Sequence, residues 1–172
     1  MVTGVLLLGG ASTRFGSPKA LARISGTTLA ELAWERLAWC DERLAVGKAV
    51  DSLPVPFPVL DDGSEVRAPL AGLVTGLRFA RHELVVVLPV DVPWMTEEAL
   101  RRLATACRQV AVPQTGPLPG AYRRTALPVL ERRLREGRLK LRDALAELEV
   151  AVVDIDAALL ANVNRPEDLP QP

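Results

Sequence analysis

The stretch GVLLLGG, residues 4–10, runs apolar from Val5 to Leu8 without a single polar alternation and then ends on two glycines. A strand with one face in water alternates polar and apolar residues; this one does not, so both of its faces are covered. That requirement points to a sheet with helices packed on each side. The rest of the chain agrees. Short β-rich runs alternate with amphipathic segments, and neither an internal repeat nor a linker interrupts them.

The residues 28–39 read as a helix. Thr28 and Glu31 fit a capping box, and Leu29, Leu32, Ala33 and Leu37 share one face. RLAVGK is a second strand, and a proline-rich loop leads to a third at 58–60. Pro69 can open a helix because its missing N–H would lack a partner there anyway. ELVVVLPVDVP, residues 83–93, is a strand with β-branched residues at its centre. Thr96 then caps a helix carrying Glu97 and Glu98 in its first turn. QVAVP is a further strand, and GAYRR a short one suited to antiparallel pairing. Leu127, Leu130 and Leu134 mark a helix that stops at Gly137; Leu141, Leu145 and Leu148 mark another. EVAVVDID is the last strand, and NRPEDL begins a short helix at Pro166. The pattern predicts a single domain over 1–172 of the α/β class: three layers, Rossmann-like, with a mostly parallel sheet.

Composition excludes several functions. The 172 residues carry no net charge, which does not suit a nucleic acid or an anionic membrane surface as main partner. No apolar run approaches the roughly 20 residues of a membrane span. The start lacks the basic region and small-residue cleavage site of a signal peptide. Cys40 and Cys107 lie far apart, each on a predicted helix, and read as reduced thiols of a cytoplasmic protein. His82 is the single histidine, which disfavours a His-ligated metal or a Ser-His-Asp triad.

Ligands of open parallel sheets bind at the carboxyl ends of strands. Three places follow from that rule. After the first strand, Gly9 and Gly10 leave backbone amides accessible to phosphate oxygens, Ser12 and Thr13 add donors, Arg14 adds a planar fork and Lys19 a mobile charge. Neither a Walker A loop nor G-x-G-x-x-G occurs there. After the third strand come Asp61 and Asp62, either turn formers before Gly63 or contacts to a ribose or base. After the fourth comes Asp91, either a turn aspartate or, beside a polyphosphate, a ligand for Mg²⁺. Lysine is scarce, confined to Lys19, Lys48 and Lys140.

LLLGGASTRFGSPKAL, residues 6–21, resembles the signature loop of nucleotidyltransferases that make sugar nucleotides and related compounds. Taken with PVLDDG, PLAGL, PVDVP and NVNRPEDL in that order, the chain resembles the molybdenum cofactor guanylyltransferase family over nearly its whole length. The resemblance implies a nucleotidyltransferase that joins GMP from GTP to the terminal phosphate of molybdopterin and releases pyrophosphate, with Mg²⁺ as cofactor. It implies that Leu7, Leu8, Gly9 and Gly10 lie along the nucleotide, that Lys19 contacts its phosphates with help from Arg14, and that Asp62 touches the nucleotide. Asp91 matches the Mg²⁺ ligand, and Asn162 and Asn164 match the acceptor side. Transient contact with molybdenum cofactor delivery proteins is a further implication. Three positions depart from the family: Leu8 where Ala is usual, Gly47 where Asn is frequent, and Ala68 where Gly is common. They bear on base and acceptor choice. A molybdopterin cytidylyltransferase, another small-acceptor nucleotidyltransferase, and a catalytically silent nucleotide-binding module remain alternatives.

Overall fold

The computed structural model describes residues 1–9 and 18–169. Strand β1 (Val2–Leu7) leads to a two-residue hairpin of β2 (Arg23–Ile24) and β3 (Thr27–Thr28), then to helix α1 (Leu29–Arg36). There follow β4 (Glu42–Gly47), β5 (Val59–Asp61), α2 (Pro69–Phe79), β6 (Leu84–Pro89), α3 (Glu97–Ala106), β7 (Val110–Pro113), β8 (Gly120–Arg123), α4 (Leu127–Arg135), α5 (Leu141–Ala144) and β9 (Val150–Val153). The main sheet runs β5-β4-β1-β6-β8-β7-β9. β8 is antiparallel to both of its neighbours; the other pairings are parallel. Among the described residues no helix is long and apolar enough to cross a membrane.

Alternate residues of β1 serve opposite layers, as the non-alternating run requires. Leu6 and Leu8 pack with Leu29, Ala30 and Ala33 of α1 and Leu100 and Leu103 of α3. Val5 and Leu7 pack with Leu70, Leu73, Val74 and Leu77 of α2 and with Leu130 of α4. Helix α2 lies so close to β1 that a Cβ built on Gly76 would stand 2.7 Å from Val5 Cγ1. Val5 is fully buried, central in the sheet and held in one rotamer by its branching, so it has little room to yield. Gly76→Ala is therefore expected to lower stability by about 1–2 kcal/mol, because overpacking outweighs alanine's helix preference of about 1 kcal/mol. Urea denaturation checks this as a lower midpoint at unchanged slope.

The local signals read from sequence hold at the helix starts. The Thr28–Glu31 capping box forms, and the Thr96 hydroxyl accepts from the Ala99 N–H. Three expectations need correction. The helix expected on Leu141, Leu145 and Leu148 has only four α-helical residues before a 3₁₀ turn over Leu145–Glu147. Leu148 is already extended, since the chain must enter β9 directly after it. Neither cysteine sits inside a helix: Cys40 follows the end of α1, and Cys107 is the residue at which α3 stops. Both are free thiols, and burial pushes Cys40 up to about 12 and Cys107 up to about 11. The β2–β3 hairpin was not expected at all. Its strands are too short to show a period, although Ser25 and Gly26, both at positive φ, are a residue pair suited to a tight hairpin turn.

Candidate active site

β1 and β6 lie side by side and end level, Leu7 opposite Pro89. The chain leaves β1 towards β4 and leaves β6 towards β7, on the other side. Where successive connections diverge in this way, a crevice opens at the strands' carboxyl ends. Backbone bonds stitch its floor: the Val90 N–H donates to the Leu7 carbonyl at 3.0 Å, Leu8 to Val46 at 2.9 Å and Asp62 to Gly47 at 3.0 Å.

Two residues expected to act together meet across this crevice. Lys19, from the segment after β1, brings its Nζ to 3.7 Å from Asp91 Oδ2, on the segment after β6. The same Nζ donates to Asn164 Oδ1 at 3.1 Å, 145 residues further along the chain. The closing segment is held there by two anchors. The Val163 N–H donates to the Asp91 carbonyl at 2.8 Å, with the Val163 side chain fully buried. Asp168 accepts from the backbone N–H groups of Asn164 and Arg165 at 2.7 and 2.9 Å, bonds that hold its carboxyl below the usual range. Burial pushes the Asp91 carboxyl above the usual range, against the pull of the Lys19 ammonium.

Lys19 and Asp91 line a cavity of about 400 Å³, together with Leu7, Leu8, Gly9 and Asn162. Its far wall is the segment Thr115, Gly116, Pro117 and Leu118. That wall is braced by Arg142, which donates to the Thr115 carbonyl at 2.6 Å, and by the buried Tyr122 hydroxyl, which donates to the Pro117 carbonyl at 2.5 Å. A narrower cleft adjoins the cavity and shares Leu7, Gly9 and Pro69 with it. Gly47, Lys48, Asp62 and Arg67 close its other end. Together they form one trough along the sheet's rim, from Asp62 past Gly9, Lys19 and Asp91 to Asn162. Of the residues expected to line a nucleotide, Leu7, Leu8, Gly9, Lys19, Asp62 and Asp91 all border it. Gly10 and Arg14, with Ser12 and Thr13, lie outside the described residues. Asp61, the alternative to Asp62, turns away and accepts from the Ala49 N–H at 3.2 Å.

Two departures from the family pattern touch each other. A Cβ on Gly47 would lie 3.5 Å from Leu8 Cβ and 3.3 Å from Val59 Cγ1, so the larger Leu8 occupies space beside the missing side chain. Sequence reasoning passed over Lys48, buried at the trough's end, and the 115–118 wall. Neither carries a motif: the first is one lysine after a strand, the second a turn-rich segment between β7 and β8.

An open α/β sheet with a cation and a carboxylate facing each other over a trough at its switch point suits a phosphorylated ligand, and the family match makes the chain a nucleotidyltransferase. The chain belongs to the MobA-like NTP transferase family, whose domain matches residues 4–152. It is 37% identical over 177 residues, 98% of this chain and 92% of the relative, to a Deinococcus radiodurans protein named "Probable molybdenum cofactor guanylyltransferase". It is 30% identical to the molybdenum cofactor guanylyltransferase of Desulfosudis oleivorans, again over 98% of this chain and 92% of the relative. Among solved structures, molybdopterin-guanine dinucleotide biosynthesis protein A from Archaeoglobus fulgidus shares the fold with a TM-score of 0.81 at 22% identity, over 96% of this chain and 94% of that one.

Proposed function

We propose that this enzyme transfers GMP from GTP to the terminal phosphate of molybdopterin and releases pyrophosphate. The observation that carries the reading is the 3.7 Å approach of Lys19 to Asp91 over a continuous trough, in a chain whose relatives bear the guanylyltransferase name. In this reading the nucleoside lies towards Asp62, the phosphates pass Gly9 and Lys19, and the acceptor enters by Asn162 and Asn164.

A non-bridging oxygen of the acceptor phosphate attacks the α-phosphorus in line with the leaving oxygen. The new O–P bond forms as the bond to the β-phosphate breaks, and its electron pair leaves on pyrophosphate. The nucleophile is already anionic, so no Ser, Cys or His is needed. Lys19 neutralises the leaving phosphates, and the asparagines orient the acceptor. Asp91 would hold a magnesium ion together with the phosphates of the nucleotide. Among the described residues no cluster of three or more His, Cys, Asp and Glu is found, and Mg²⁺ is commonly held by one or two carboxylates plus substrate phosphates. Bound there, it supplies Lewis-acid neutralisation of the triphosphate. The reading has the protein working in the cytoplasm, consistent with two free, protonated thiols.

The test is pyrophosphate release from molybdopterin with GTP, ITP, CTP and ATP. GTP is expected to lead CTP and ATP by about tenfold or more in kcat/KM, a difference of about 1.4 kcal/mol in transition-state binding. ITP, lacking the exocyclic amine, falls between. Equal or better turnover of CTP makes the chain a cytidylyltransferase; pyrophosphate release from none of them overturns the molybdopterin reading and leaves a nucleotidyltransferase of another acceptor or a binding module.

A further inference from the structure

Lys48 takes no part in the mechanism above, yet it is buried. Its side chain is 8% exposed and that of its partner Asp62 is 7% exposed. The ammonium has three hydrogens, and all three go to one short segment. They meet Asp62 Oδ1 at 2.6 Å, the Val66 carbonyl at 2.9 Å and the Ser64 carbonyl. The Ser64 N–H closes back on Asp62 Oδ1 at 2.9 Å, with Gly63 turning at φ 62° between them. Residues 62–66 thus wrap a single cation that projects from the end of β4, and Asp62 lines the trough's narrow end. Arg67 then pairs with Asp51 through two bonds of 2.6 and 3.0 Å before α2 begins.

A buried ion pair is poor value as a stabiliser, since desolvation cancels much of the attraction. What it does well is specify one geometry. Asp62 Oδ1 is occupied by Lys48 and Ser64, while Oδ2 accepts from none of the described residues, and Asp62 borders the cleft. We infer that Lys48 is a positioning residue for the nucleoside half of the substrate: it gathers 62–66 around its ammonium and so keeps the Asp62 carboxylate at the trough's narrow end. The inference rests on the nucleotidyl-transfer reading above.

The test compares two ligands by calorimetry with Mg²⁺ present: GTP, and inorganic tripolyphosphate, which has the phosphate chain without the nucleoside. Lys48→Met is expected to weaken GTP by about tenfold or more while tripolyphosphate stays within about twofold. In turnover, the variant raises the KM for GTP and keeps kcat at saturation within about threefold, the signature of lost ground-state positioning. Lys48→Arg, which retains a cation for Asp62, recovers most of the GTP affinity. Should the Met variant fail to fold, Lys48→Gln, with donors for the two carbonyls but no charge, is read on the same scale. Equal loss for both ligands, or no loss for either, overturns the inference. Wild-type protein that binds tripolyphosphate but not GTP overturns the nucleotide reading and the inference with it, a failure visible before any variant is made.

Discussion

Lys19→Ala is expected to cut turnover at saturating GTP by about a hundredfold or more, leaving the fold intact. Lys19 stands between Asn164 Oδ1 and Asp91 Oδ2, its side chain 16% exposed. A cation held in that position meets leaving-group charge without having to reorganise. Removing a preorganised group of this kind typically costs about 3–4 kcal/mol of transition-state stabilisation. The loss falls on kcat more than on KM, because charge grows on the pyrophosphate only as the bond breaks. Steady-state pyrophosphate release measures it, and an unchanged circular dichroism melt shows that the fold survives. Wild-type turnover in the variant would remove Lys19 from the mechanism.

Asp91→Asn is the second large effect, about a thousandfold in Mg²⁺-dependent turnover at the upper end of the same range. Asparagine keeps the shape but lacks the charge that holds a hard cation. Calorimetry of GTP with and without EDTA reads it directly: the wild-type protein binds more tightly with Mg²⁺, and the variant shows no such difference. Stability moves the other way. Burial raises the Asp91 carboxyl above its ordinary range, so the folded protein binds the proton more tightly than the unfolded chain. The ionised group therefore costs stability above that range, and the cost disappears as the pH falls through it. At neutral pH the variant should melt no lower than wild type. A variant with unchanged metal dependence would count against Asp91 as the ligand.

Both results concern residues that could be found without a structure, and the reason is local. A buried strand ending on glycines, followed by two cations, is a contiguous pattern; so is a carboxylate between Pro89 and Pro93 at the end of a valine-rich strand. Nearest-neighbour chemistry also set the helix starts at Thr28 and Thr96 and the layer assignment of β1. Chain-end patterns of this kind depend on residues a few positions apart, and periodicity reports them.

What residues do to one another across the sheet was decided only by tertiary structure. Lys19 and Asn164 are 145 positions apart, and nothing along the chain states that they touch. Lys48 is one lysine after a strand, with no motif around it, until the segment after β5 brings Asp62, Ser64 and Val66 to it. Leu8 and Gly47 read as two separate departures from a family pattern until the ends of adjacent strands place Leu8 within 3.5 Å of where a Gly47 Cβ would stand. The short helix after Lys140 was misjudged for the same reason, since the demand that ended it came from β9 and not from its own periodicity. Short-range propensity shapes elements; long-range burial decides which charges meet, and in this protein the trough is made of those meetings.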